Sequence, residues 1–228
     1  MELGGIDNLG FDRVLRRGRG EVILDRDDAM LIRDRVSGAY MLACNDTETG
    51  LALFDRFVGP DCDLFMTPNR ALGLAVFEKY GFTQKLECRQ VAYYGEKPSK
   101  DVGLTIRPAK EPDLAMLIEH YHMVSPGEMK ENVRRGAVLL GYDRDRLVGF
   151  VGEHPEGSMG MLYVFPEFRC RGYGAALQKY LIAETMEKGF VPFAQVEKEN
   201  IASLNLQKKL GMTISENLIV WMWGRSGK

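Results

Sequence analysis

Two segments of this chain end alike, and that likeness constrains its fold more than any other feature. Val76-Phe77-Glu78-Lys79-Tyr80-Gly81-Phe82 and Leu206-Gln207-Lys208-Lys209-Leu210-Gly211-Met212 each carry an apolar-periodic helix into Lys-apolar-Gly-apolar. A glycine at that place can take the left-handed conformation that closes a helix. Each helix follows a strand-like run and an asparagine: residues 62–66 before Asn69, and 192–196 before Asn200. Each is followed by another strand-like run, at 86–94 and 214–223. The likeness extends backwards. Runs at 21–24, 29–35 and 39–44 precede a helix over 47–57, and runs at 137–142, 146–154 and 159–165 precede a helix over 172–188. The order strand, strand, strand, helix, strand, helix, strand therefore occurs twice. Only the second copy has a further start, a strand at 104–107 and helices over 111–122 and 126–135.

At roughly 150 residues per domain, the 228 residues make about one and a half domains. The polar stretch Glu96-Lys97-Pro98-Ser99-Lys100-Asp101 reads as the linker, dividing the chain into halves at 1–97 and 103–228. Lys and Arg (30) nearly balance Asp and Glu (32), leaving a formal charge of -2. A nucleic-acid backbone or an anionic membrane would find no attracting field, so neither is expected as a partner. Any anion site must be local. No apolar run is long enough to span a bilayer, and Met1-Glu2-Leu3-Gly4-Gly5 lacks a basic region leading into an apolar one. A cytoplasmic monomer or homodimer is expected. Cys44, Cys62, Cys88 and Cys170 are too dispersed for a zinc site and read as free thiols. His120, His122 and His154 add no third ligand, so no metal is expected.

The segment with the most chemistry in it is Tyr163-Val164-Phe165-Pro166-Glu167-Phe168-Arg169-Cys170-Arg171-Gly172-Tyr173-Gly174-Ala175-Ala176-Leu177. It joins a strand to a helix through a loop with two arginines and two glycines. A pyrophosphate needs several donors at short range, and the unsatisfied N–H groups at a helix start supply them, aided by the positive end of the helix dipole. Gly172 and Gly174 carry no Cβ to hold phosphate oxygens away from that backbone. Arg169 and Arg171 add charge-assisted bonds. A Gly-x-Gly turn between strand and helix is also what a plain tight turn looks like. It is not a dinucleotide fingerprint, since the third glycine is absent, nor a Walker loop, since the Lys-Ser/Thr end is missing.

The run Arg169-x-x-Gly172-x-Gly174, preceded by Val164-x-Pro166 and followed by a helix, resembles the coenzyme A pyrophosphate loop of the GNAT superfamily of N-acyltransferases. Leu104-Thr105-Ile106-Arg107-Pro108-Ala109 with Asp113-Leu114 resembles the superfamily's first strand and helix. Asn200-x-x-Ser203-x-x-Leu206-x-x-Lys209-Leu210-Gly211-Met212 resembles its last helix. Gly189-Phe190-Val191-Pro192-Phe193, Asn200 and Trp221-Met222-Trp223 look like the glycine N-acyltransferase-like branch. The resemblance implies an α/β (α+β) chain of tandem GNAT-like folds, with mixed, mostly antiparallel sheets flanked by helices. The N-terminal copy would be degenerate, serving as structure or as one wall of the acceptor cleft, since its corresponding loop is Cys44-Asn45-Asp46-Thr47-Glu48-Thr49-Gly50. That loop holds two acids and no base, which would repel a pyrophosphate.

Acetyl-CoA is the cosubstrate implied, bound by Arg169, Cys170, Arg171, Gly172, Tyr173, Gly174 and Ala175, by the strand backbone at Leu162, Tyr163 and Val164, and by Asn200 and Ser203. The acceptor implied is a primary amine of a small molecule, which attacks the thioester directly without a covalent enzyme intermediate. Cys170 then needs no nucleophilic role. Glu153 and His154 are the candidate bases, with Tyr163 and Glu197 behind them, while His120 and His122 lie where the family binds acceptors. Many members place a proton-donating tyrosine four residues before the last helix's glycine; Gln207 stands there in this chain. A coenzyme A-binding sensor or structural module without catalysis therefore stays open, as does a protein N-acetyltransferase.

Overall fold

The structure is a computed structural model that describes residues 5–225; residues 1–4, part of the start read above for a targeting pattern, and 226–228 lie outside the described residues. The helix α1 (Leu9–Arg16) leads into β1 (Gly20–Asp25), β2 (Ala29–Asp34), β3 (Tyr40–Cys44), α2 (Thr47–Phe57), β4 (Leu64–Thr67), α3 (Arg70–Tyr80) and β5 (Phe82–Ala92). Next come β6 (Thr105–Pro108), α4 (Leu114–His120) and α5 (Pro126–Arg134). The chain then runs through β7 (Val138–Asp143), β8 (Arg146–Glu153), β9 (Met159–Val164), α6 (Tyr173–Glu187), β10 (Phe193–Glu197), α7 (Ile201–Lys209) and β11 (Thr213–Arg225). The doubled order expected from the sequence is present, as β1 to β5 and as β7 to β11. Gly81 and Gly211, the shared end signals, both have positive φ, 68° and 76°. The helix α1 is an addition to the sequence expectation. Asp12, Arg13 and Arg16 make it read as polar, yet Phe11 and Val14 are buried.

The chain forms two compact units that do not follow its order. One gathers the chain up to Ala92, Gln195–Gln207 and the residues from Thr213; the other gathers Tyr93–Ala194 and Lys208–Met212. In the first, the strands run β1-β2-β3-β4-β11-β5. Neighbours are antiparallel except the parallel pair β3–β4. Strand β11 lies between β4 and β5, so that Trp221 is opposite Met66 on one side and Leu86 on the other. Alternation buries both faces. Leu31, Leu42, Phe65 and Val220 pack with Phe54, Leu72 and Val76 of α2 and α3, while Ile32, Met41, Met66 and Ile219 pack with Phe11 and Val14 of α1.

In the second unit the order is β6-β7-β8-β9-β10, antiparallel except for parallel β9–β10. Leu140, Phe150 and Met161 face Leu117 of α4 and Met129 and Val133 of α5. Gly141 faces the other way, and a Cβ there would meet the side chain of Leu177 on α6 at 2.6 Å. The α4–α5 pair and α6 therefore cover opposite faces of this sheet.

Candidate active site

The site is built on β9, and β9 is irregular. Phe150 of β8 is opposite Tyr163 and Gly152 is opposite Gly160, so Val151 alone faces both Met161 and Leu162. Two residues against one is a β-bulge, and Met161 takes a φ of 50° to make it. On its other edge the parallel register with β10 is the single pair Met159 with Ala194. The edge of residues 160–164 that faces away from β8 is thus left without a ladder partner among the described residues, a place where an extended ligand can add sheet-like bonds. The backbones of β8 and β9 come close near the end of this stretch. A Cβ on Gly149 would lie 2.2 Å from the Tyr163 carbonyl oxygen, which only glycine avoids.

After β9 comes the arginine-glycine loop. Pro166–Phe168 form a single 3-10 turn, Cys170 takes a φ of 59°, and Gly172, in the left-handed region at φ 87°, is the residue before α6. No side chain caps this helix start. Its first-turn N–H groups and the dipole's positive end are not quenched by a side chain of the chain's own. Arg169 and Arg171 are exposed beside it. Arg169 donates Nε–H to the Val164 carbonyl at 3.0 Å and lies over the Tyr163 ring, which fixes its stem and leaves its terminal N–H groups for another acceptor. Tyr173 points elsewhere, donating to Asp143 at 2.5 Å; that bond holds its phenol above the usual tyrosine range. Gly174 and Ala175 continue the first turn.

The corresponding place in the first unit is different. Asp46 precedes α2, and its own carboxylate accepts the Thr49 N–H at 2.8 Å. The helix start that could hold an anion there is already occupied by a carboxylate. Asn200 and Ser203 belong to this first unit, where the Asn200 Oδ1 accepts the Ser203 N–H at 3.0 Å at the start of α7. The Asn200 side chain is thus engaged in capping α7. Gln207 is buried and Glu197 is exposed.

The side chains around the bulge come from α4, α5, β8, β9 and the loops beside them. The Tyr163 hydroxyl lies 3.5 Å from His120 Nδ1, and the two rings stack; Phe150 also stacks with Tyr163, and Phe165 stands edge-on. His122 is exposed. Of the two candidate bases, Glu153 is buried at the end of β8, and His154 begins the turn into β9 with its side chain 24% exposed. The His154 ring lies against Gly160, where a Cβ would meet Nε2 at 2.4 Å. Its Nδ1 is 3.5 Å from Glu128 Oε1 on α5. Burial opposes charge on this imidazole, but Glu128, Glu156 and Glu153 together raise its pKa above the ordinary value.

Two residues here escape a sequence reading. Tyr121, at the end of α4, reaches the Met161 backbone at the bulge; burial pushes its phenol up to about 12, with the Met161 contact working the other way and Glu128 adding to the rise. Glu128 looks from sequence like a first-turn surface acid of α5. Only the tertiary packing brings Tyr121 to Met161 and Glu128 to His154. Among the described residues no group of three or more His, Cys, Asp or Glu side chains could hold a metal ion, Cys44, Cys62 and Cys88 are buried while Cys170 is exposed, and no helix is long and apolar enough to cross a membrane.

A bulged strand with one open edge, running into a glycine-led helix start with arginines beside it, defines the class of fold. It is the GNAT-type α/β fold, and comparison with known proteins agrees. The family model described as FR47-like protein matches residues 138–221, from β7 into β11. Among solved structures, a Drosophila protein has a TM-score of 0.67 at 15% identity, covering 96% of this chain and 90% of its own. A structure named as a GNAT-family acetyltransferase from Novosphingobium aromaticivorans has a TM-score of 0.62 at 17% identity, with 97% and 98% covered. A GCN5-related N-acetyltransferase from Kribbella flavida has 0.55 at 13%, with 97% and 95% covered. At these identities the likeness is one of fold. No curated protein matches the chain in sequence.

Proposed function

We propose that this chain transfers an acetyl or other short acyl group from acyl-CoA to the primary amine of a small molecule. The observation that carries this reading is the start of α6, which no side chain caps and which has Arg169 and Arg171 beside it, whereas its counterpart in α2 is closed by Asp46. A helix start left open next to two guanidinium groups fits a pyrophosphate. The pantetheine arm would lie along the open edge of β9 at Leu162–Val164, which brings the thioester towards the bulge. There the amine attacks directly, and the chain's own residues orient it, accept its proton and stabilise the oxyanion. The half from 103 to 228 supplies this machinery in our reading, and the half from 1 to 97 serves as structure or as a wall of the acceptor cleft.

The test is turnover of acetyl-CoA with a library of small amines, read by release of free thiol. Thiol release that depends on the amine supports the assignment. Buried Gln207, standing where a proton-donating tyrosine is often found, favours one other reading, a coenzyme A-binding sensor without catalysis. Saturable coenzyme A binding with no thiol release from any amine would support that sensor instead.

A further inference from the structure

We infer that Glu128 is a positioning residue for His154, and that the pair forms a carboxylate–imidazole dyad whose free nitrogen serves as the base at the β9 bulge. The inference rests on the acyl-transfer reading above and assigns a role to a residue that the sequence left on the surface. Both ring nitrogens of His154 are accounted for by geometry. Nδ1 is turned towards Glu128 Oε1, 3.5 Å away on α5, and the Nε2 edge lies over Gly160, the residue just before bulged Met161. A carboxylate at Nδ1 favours the tautomer that carries its proton there, which leaves the lone pair on Nε2. The backbone helps hold the ring: His154 donates its N–H to the Ser158 carbonyl at 2.9 Å, and Ser158 in turn donates its hydroxyl to Glu156. The absence of a Cβ at Gly160 gives the imidazole its place, since a Cβ there would meet Nε2 at 2.4 Å and the ring would have to shift.

In the step this arrangement serves, the lone pair of a neutral amine forms the C–N bond to the thioester carbon and the carbonyl π pair moves to oxygen. Return of that pair breaks the C–S bond and expels the coenzyme A thiolate. The proton lost by nitrogen passes to His154 Nε2 and then to the thiolate, directly or through water, giving amide and free thiol. The carboxylates facing the imidazole are Glu128 from α5, Glu153 from β8 and Glu156 from the turn. Together they favour the protonated ring, so the base becomes competent as pH rises through its raised pKa, and removing one of them should make it competent at lower pH.

The experiment is the pH profile of kcat/KM for the full chain and for Glu128→Gln and Glu128→Asp, with NMR titration of the His154 imidazole in each. Melting temperature and acetyl-CoA affinity serve as checks on folding. For Glu128→Gln the dyad requires an unchanged fold, a rate lower by about tenfold, an acid limb displaced to lower pH and the same displacement in the NMR titration. Glu128→Asp should recover part of the rate. A folded, active Glu128→Gln protein whose limb and titration stay in place overturns the dyad alone. A wild-type chain that binds coenzyme A but turns over no amine overturns the acyl-transfer reading and the dyad's catalytic use with it, even if the titration still moves.

Discussion

Asp46 and Gly172 hold the same station in the repeated order of elements and treat a helix start in opposite ways. Asp46 satisfies it from within, through the Thr49 N–H, and Gly172 offers nothing. Arg169→Ala and Arg171→Ala should each weaken acetyl-CoA binding by about 1.5 kcal/mol, close to tenfold, the low end for a charge-assisted bond because both side chains are exposed. Isothermal titration calorimetry measures it, and unchanged affinity in the double variant would remove the loop from the site. Asp46→Ala should lower the melting temperature and leave acetyl-CoA affinity alone. The Thr49 backbone N–H holds the Asp46 carboxyl below its ordinary range, so its stabilising effect is present above the unfolded-state pKa and fades as pH falls through the folded-state one. Thermal melts of the two proteins should therefore converge in acid. The loop was legible in the sequence because its chemistry is local: two arginines and two glycines between a strand and a helix. The surroundings of His154 and of the bulge were not, because Glu128 reaches His154, and Tyr121 reaches Met161, only through the packing of α4 and α5 on the sheet.

Among the elements, β8 and β9 matter most, since their approach at Gly149 and the bulge beyond it set the edge a ligand would use. Gly149→Ala places a Cβ against the Tyr163 carbonyl, a backbone atom that cannot swing aside. The strands must part there, at a cost of about 1 to 3 kcal/mol for overpacking. The expected result is a lower melting temperature together with weaker acetyl-CoA binding; a variant with native values for both would show that β8 and β9 can separate here without consequence. Hydrophobic alternation and the glycines at 81 and 211 made most elements readable. The bulge had no such mark, because its positive φ falls on Met161, not on neighbouring Gly160. Helix α1 was hidden for a related reason: its three charged residues mask the apolar pair Phe11 and Val14, and only the neighbouring strands show that this pair has a face to cover.

For the whole molecule the informative fact is where β11 goes. Periodicity marks residues 214–223 as a strand but is silent on its neighbours, since an alternating apolar run fits any sheet with a matching face. The structure puts β11 between β4 and β5, with Val220 and Met222 in the core shared with α2 and α3. A chain shortened to end at Met212 should therefore damage the first unit although it leaves residues 5–92 intact. Hydrogen exchange should show lost protection in β4 and β5, and circular dichroism should show a less cooperative melt. Retained protection in β4 would mean that the sheet closes without β11. The same placement sets a schedule for synthesis. The β4 edge leaves the ribosome well before residues 213–225 exist, so it must wait, unpaired and apolar, through the making of the entire second unit. During that interval it is a surface for a chaperone to hold, or for another nascent chain to pair with.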